Sequence, residues 1–247
     1  YFNDKKNYFN LNKEIIKNNT KILSKSELFS YLDSSKSDMS LLSISGYESL
    51  NYLESIFKNT NNLGLVNKEC VVSAGHLFNK LIKKYNVKIF PLDSEHYSLS
   101  SSISNINFKS LNYKKIYLTA SGGPFLNKKI SEFNNISLNT AIEHPKWKMG
   151  YKNSIDSATM ANKCLEIIEA HYLFHIPFKK LDIVIHPQSL VHSIIEYNNF
   201  TSNLNYFYHD MFIPIFNFLN SIKKNNIPHS FNKFKFSKNQ NLNFFPV

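Results

Sequence analysis

The run "SLLSISGYESLNYLESIFKNTNNLGLV", Ser40–Val66, decides the fold. "SLLSI" is a short apolar run of strand length, and "YESLNYLESIF" repeats its apolar residues Leu50, Leu53, Ile56 and Phe57 at helical spacing. "LGLV" then returns to a strand. The rhythm continues with "AGHLFNKLIKKY" as a helix and "VKIF" as a strand. Strands alternating with helices predict a parallel, doubly wound α/β sheet. Ligands of such sheets sit beyond the carboxyl ends of the strands. Those ends are polar: Ser45–Gly46, then Asn67–Lys68–Glu69, then Asp93–Ser94–Glu95–His96. After a later strand, "KKIYLT", comes Ala120–Ser121–Gly122–Gly123. Four such ends predict one facing cluster.

Further along, "DSATMANKCLEIIEAH", Asp156–His171, reads as a helix capped by Asp156 or Ser157. Ala161, Leu165, Ile168 and Tyr172 form one stripe; Asn162, Lys163, Glu166 and Glu169 form its neighbour. Spacing alone leaves the polar stripe either a solvated face with a Lys163–Glu166 pair or a functional one. Gly122–Lys152 shows no periodicity and holds the single tryptophan, so it is read as a lid or as a disordered stretch. The strands "LDIVI" and "VHSIIEY" follow. A short helix is expected around Lys13–Asn18, within a poorly informative segment of residues 1–38.

The 247 residues, 43% of them hydrophobic, suffice for a sizeable core, and no apolar run reaches bilayer-spanning length. The chain opens on Tyr1 rather than Met, so a trimmed start is expected. The net charge of +11 would ordinarily suggest nucleic acid, but all 29 basic residues are Lys, scattered and without Arg. Base readers use Arg for bidentate contacts, so no nucleic-acid partner is expected. Codon bias in an AT-rich genome accounts for this composition. Cys70 and Cys164 fit no zinc or redox spacing.

Asp93 and Glu95 at a strand end, with Glu166 from a helix, could present three carboxylates to one point. Oxygen ligands without His or Cys select Mg²⁺ or Mn²⁺. Turn and cap roles remain the alternative for Asp93 and Glu95. Ser121, Ser157, Asn162 and Lys163 suit a phosphate monoester: hydroxyl and amide donors, one cation and a helix N-terminus. Capping is a compatible second role for Ser157.

Six segments carry a resemblance: "LVNKECVVSAGHLF", "PLDSEHYS", "ASGGPF", "HPKWKMG", "SIDSATMANKCLEIIEAHYLF" and "IHPQSLVHSIIEY". Their sequence and order resemble the 1-deoxy-D-xylulose 5-phosphate reductoisomerase family over Ser43–Tyr197, about two-thirds of the chain. The resemblance implies an α/β fold: a partial Rossmann-like parallel sheet domain, then an α+β catalytic domain with a flexible lid loop. The expected boundaries are 1–92 for the NADPH-binding part and 93–228 for the catalytic part, with the lid at about 121–152. Residues 229–247 would begin a linker to a C-terminal helical domain.

The same resemblance implies that Asp93, Glu95 and Glu166 hold the divalent ion, Mg²⁺ or Mn²⁺. Lys68 and Ser94 would contact the polar end of a small phosphorylated sugar. Ser121, Ser157, Asn162 and Lys163 would take its phosphate, with His144 nearby. Ser43, Ile44, Ser45, Asn67, Glu69 and Gly150 would lie along NADPH, and Trp147 and Met149 would belong to the lid. It implies a homodimer outside any membrane, in the cytoplasm of an AT-rich, endosymbiont-like bacterium or in a plastid. Several positions depart from the pattern. Cys70 and Cys164 stand where small Ser and Gly are expected, and neither a glycine-rich dinucleotide turn nor a C-terminal helical domain is present, so weak NADPH binding is expected. An inactive relative and a basic nucleic-acid-associated protein are the alternative readings.

Overall fold

The computed structural model describes residues 21–104, 112–142, 150–222 and 241–247. The helix expected at Lys13–Asn18 lies outside them. Helix α1 (Lys25–Ser34) opens with a capping box: Ser24 accepts from the Glu27 amide while the Glu27 carboxylate accepts from the Ser24 amide. Strand β1 (Ser37–Leu42) follows. The expected helix at 47–57 is two pieces, a 3-10 segment Gly46–Tyr52 running into α2 (Leu53–Asn59). Strand β2 (Thr60–Leu65), helix α3 (Glu69–Tyr85) and strand β3 (Lys88–Pro91) complete a parallel sheet of order β1-β2-β3.

The second half starts with α4 (Ser94–Ser104) and β4 (Tyr113–Ala120). Next come a 3-10 segment Ile130–Asn135, α5 (Leu138–Ile142), α6 (Tyr151–Ala158) and α7 (Ala161–Phe174). β5 (Leu181–Ile185), β6 (Val191–Tyr197), β7 (Ser202–Tyr206), α8 (Phe212–Asn220) and the short β8 (Phe245–Pro246) end it. The second sheet has order β7-β6-β4-β5-β8; only β4 and β5 are parallel. β4 therefore belongs to this mixed sheet and does not extend the first. The fold is α/β, a parallel sheet followed by a mixed one.

Two cores form. One gathers Leu42, Tyr52, Phe57, Leu63, Leu65, Val71 and Phe78; the other gathers Leu99, Ile116, Leu118, Ala170, Leu181 and Ile195. Helix α7 joins them, packing Tyr172 and Leu173 on the first and Ala170, Ile167 and Phe174 on the second. The approach of α3 to α7 needs a glycine. A Cβ at Gly75 would stand 2.3 Å from Tyr172 ring carbons, closer than packed atoms tolerate. Among the described residues no helix is long and apolar enough to cross a membrane.

The helix read as starting at Asp156 or Ser157 starts elsewhere. Both residues sit in the last turns of α6; the chain then breaks at Thr159–Met160, where Met160 takes φ 62°. α7 begins at Ala161, and Met160 makes no side-chain cap. An amphipathic pattern that runs through a two-residue break hides the break, because the turn inherits the polarity of its flanks.

Candidate active site

Helix α7 packs against both cores, and burial along it reverses the ordinary rule. Lys163, Glu166 and Glu169 are buried, whereas Ala161 is exposed and Leu165, Ile168 and Tyr172 are only partly covered. Buried charge persists only when it is paired. The solvated-face reading of this stripe therefore fails.

The pairing comes from the ends of β2 and β3. Lys68 Nζ lies 2.7 Å from Asp93 Oδ2 and 3.0 Å from Glu166 Oε1, and donates to Asn162 Oδ1 at 2.7 Å. Lys163 Nζ lies 2.7 Å from Glu95 Oε1 and 2.5 Å from Glu166 Oε2. The Asn162 amide donates to Glu166 Oε1, and the Ser94 hydroxyl donates to the Glu95 carboxylate. Three carboxylates thus alternate with two ammonium groups.

The environment separates these acids. Burial pushes Asp93 up, but Lys68 and a hydrogen bond from His96 outweigh it and hold Asp93 well below the carboxylate range. Burial, then the charges of Asp93 and Glu95, raise Glu166; Lys163 and Lys68 offset them only in part. Burial opposes the charge on both lysines, yet Asp93 and Glu166 hold Lys68 well above its ordinary value, and Glu166 and Glu95 raise Lys163. Glu166 is thus a reluctant anion beside a readily ionised Asp93, and an added cation would favour its charged form.

One oxygen from each of Asp93, Glu95 and Glu166 lies within 4.8 Å of the other two. Carboxylate oxygens this close can converge on one small cation if the side chains draw in around it. With no His or Cys among the donors, the set fits a hard divalent cation.

Behind these carboxylates His96 is fully buried, its Nδ1 3.3 Å from both Asp93 Oδ1 and Glu169 Oε2. Its Nε2 donates to the Glu166 carbonyl at 2.9 Å. Burial pushes the ring toward neutrality, but Glu169 and Asp93 prevail and raise it to about 9.

A cavity of about 350 Å³ opens on the cluster. From the expected set its wall takes Lys68, Asp93, Ser94, Glu95, Ser121, Gly150, Ser157, Asn162, Lys163 and Glu166. Three of the four strand ends converge there. The first, at Ser45–Gly46, is not part of the wall. Buried Asn67 ties that end to β2, its amide donating to the Gly46 carbonyl at 3.0 Å and to the Ile44 carbonyl, while the Ser49 hydroxyl donates to its Oδ1 at 3.1 Å. Ser43 and Ser45 stay exposed, Ile44 packs on the first core, and Glu69 pairs with Lys152 at 3.0 Å. Space is open where a Cβ would stand at Gly46 and Gly150, which fits close approach of an extended ligand. His144, Trp147 and Met149 lie outside the described residues.

Ser189, His192, Asn153 and Met211 also line the cavity and were not expected there. Ser189, just past the strand "LDIVI", was within reach of the strand-end rule. His192 sits inside an alternating strand, where a histidine carries no sequence signal.

A model of the 1-deoxy-D-xylulose 5-phosphate reductoisomerase C-terminal domain matches residues 89–174, the segment that holds all three carboxylates. The reductoisomerase of Pelagibacter ubique is 45% identical over 191 residues, 76% of this chain and 49% of the relative. This chain belongs to the 1-deoxy-D-xylulose 5-phosphate reductoisomerase family. The Clostridium kluyveri reductoisomerase is 42% identical over 207 residues, 84% of this chain and 53% of the relative. The chain spans about half the length of these family members. A crystal structure of a reductoisomerase with NADPH, fosmidomycin and magnesium matches 99% of this chain and 62% of its own, with TM-score 0.81 and 33% identity. The Zymomonas mobilis family member in complex with NADPH gives TM-score 0.80 at 30% identity, with the same coverage.

Proposed function

We propose that the chain carries the reductoisomerase site that converts 1-deoxy-D-xylulose 5-phosphate to 2-C-methyl-D-erythritol 4-phosphate. The observation that carries this reading is one cavity with an oxygen-only ligand set, Asp93, Glu95 and Glu166, beside a phosphate-type donor set, Ser121, Ser157, Asn162 and Lys163. A divalent ion held by the three carboxylates would supply Lewis acidity toward the substrate oxygens, and NADPH would supply a hydride.

The residues of the chain do the rest. Ser121, Ser157, Asn162 and Lys163 bind the phosphate with hydroxyl, amide and ammonium donors, with His144 nearby. Lys68 and Ser94 hold the opposite, oxygen-rich end, which fixes the orientation of the carbon skeleton between two anchored ends. Ser43, Ile44, Ser45, Asn67, Glu69 and Gly150 line the path of the nicotinamide cofactor. The stretch 121–152, with Trp147 and Met149, closes over the site and excludes water. In this reading residues 1–92 form the cofactor part and 93–228 the catalytic part, a division supported by the two separate cores. A homodimer, in the cytoplasm of an AT-rich bacterium or in a plastid, completes it.

The test is consumption of NADPH by the chain with 1-deoxy-D-xylulose 5-phosphate and Mg²⁺ or Mn²⁺, with the product identified by mass spectrometry. Substrate- and metal-dependent oxidation of NADPH supports the proposal. Tight binding of metal and substrate without turnover would favour the inactive-relative reading.

A further inference from the structure

Glu169 belongs to the buried polar stripe of α7, yet it is not part of the cavity wall. It is 1% exposed, and among the described residues its Oε2 has no hydrogen-bond partner; what faces that oxygen is His96 Nδ1 at 3.3 Å. A buried acid held this way is costly, so its position calls for a reason. The reason lies beyond the ring. His96 Nδ1 is also 3.3 Å from Asp93 Oδ1, and its Nε2 is 2.9 Å from the Glu166 carbonyl. A carbonyl only accepts, so Nε2 carries a hydrogen. His96 thereby joins the β3 end, which bears Asp93, to the turn of α7 that bears Glu166. Glu169, nearly one turn along α7, is the carboxylate that fixes the ring.

We infer that Glu169 is a positioning residue which, through His96, holds the Asp93 and Glu166 carboxylates at the separation a divalent cation requires. This rests on the metal reading proposed above. Neither Glu169 nor His96 lines the cavity, so neither touches substrate. Groups behind metal ligands commonly set ligand geometry, and losing one costs on the order of 10–100-fold in metal affinity.

The experiment titrates the chain with Mn²⁺ alone and measures binding by calorimetry or by the electron-spin signal of free Mn²⁺. Glu169→Gln is expected to weaken binding about tenfold or more. Glu169→Asp keeps the charge but withdraws it from the ring, and is expected to weaken binding as well. His96→Asn should do the same, and Glu169→Gln added to it should cost no more than about a further twofold, since the two act as a unit. Unchanged Mn²⁺ affinity in either Glu169 variant, or losses that multiply in the double variant, would overturn the inference. Should Glu169→Gln not fold, the Mn²⁺ affinity of Glu169→Asp decides between the same two outcomes. Glu166→Gln is the control. If it binds Mn²⁺ normally, the metal reading falls and this inference with it; if it loses binding while both Glu169 variants keep theirs, this inference alone falls.

Discussion

The Lys163 ammonium stands 2.7 Å from the Glu95 carboxylate, joining the first turn of α7 to the start of α4 across the floor of the cavity. Its charge neutralises the carboxylates that the proposed metal ion would also neutralise, so the two would compete. Lys163→Met should therefore act in opposite directions on two ligands. Affinity for the phosphorylated substrate should fall at least about tenfold, as expected for a lost charge-assisted contact. Affinity for Mn²⁺ alone should rise. The metal-free variant should also melt lower, because removing one partner of a buried pair costs about 3–5 kcal/mol, and Mn²⁺ should restore more stability than it adds to the unaltered chain. Calorimetry with each ligand, and melting with and without Mn²⁺, check this.

Glu166 meets both lysines and Asn162 while 1% exposed. Glu166→Gln keeps its shape and removes its charge. Turnover should be lost at every Mg²⁺ concentration tried, with the far-ultraviolet circular dichroism spectrum unchanged. Near-normal turnover at limiting Mg²⁺ would remove Glu166 from the ligand set.

Much of this was legible in the sequence, for reasons particular residues make clear. β5 and β6 fall on the expected "LDIVI" and "VHSIIEY", because short runs rich in β-branched and aromatic residues and bounded by turn residues favour strands, although "LDIVI" is mostly half-buried and "VHSIIEY" mostly buried. Asp93, Glu95 and Lys68 were found because strand ends are where ligands bind. The break at Met160 was not legible. A left-handed residue is ordinarily signalled by Gly or Asn, and here it is a methionine. Nor was the burial of Glu169, since helical periodicity cannot tell a water-facing polar stripe from one facing a buried histidine.

Gly75 sets how closely α3 approaches α7. A methyl group there would meet the Tyr172 ring at 2.3 Å, so Gly75→Ala must push the helices apart. Overpacking of this kind costs about 1–3 kcal/mol. Since α7 carries Lys163 and Glu166 while Lys68 sits just before α3, the same shift should loosen the pairing across the cavity. The expected result is a lower melting temperature together with weaker Mn²⁺ binding. Loss of stability with metal affinity unchanged would show that α7 moves as a unit with β3.

His192 gives a signature in pH. It is 1% exposed, its ring lies 4.1 Å from that of Phe207 at 19°, and its Nε2 donates to the Phe207 carbonyl at 3.3 Å. Burial is the largest influence and lowers it from 6.5 to about 3; Lys163 and His209 push the same way, and the Phe207 carbonyl and Asp93 only partly oppose them. Below pH 6.5 the unfolded chain takes up a proton that folded His192 refuses, so the unfolded state binds more protons. Stability attributable to this residue is complete above pH 6.5 and is lost as pH falls toward 3, with a limiting slope of about 1.4 kcal/mol per pH unit. His192→Gln removes the titrating ring and keeps a donor for the carbonyl. Between pH 6.5 and about 5, before most carboxylates take up protons, its urea-derived stability should fall less steeply than that of the unaltered chain, by up to this slope. The slope is the readout, because the lost ring contact lowers the whole curve without tilting it. Parallel curves would mean that His192 takes up its proton in the folded chain, and that the cavity wall beside Lys163 is charged where the structure makes it neutral.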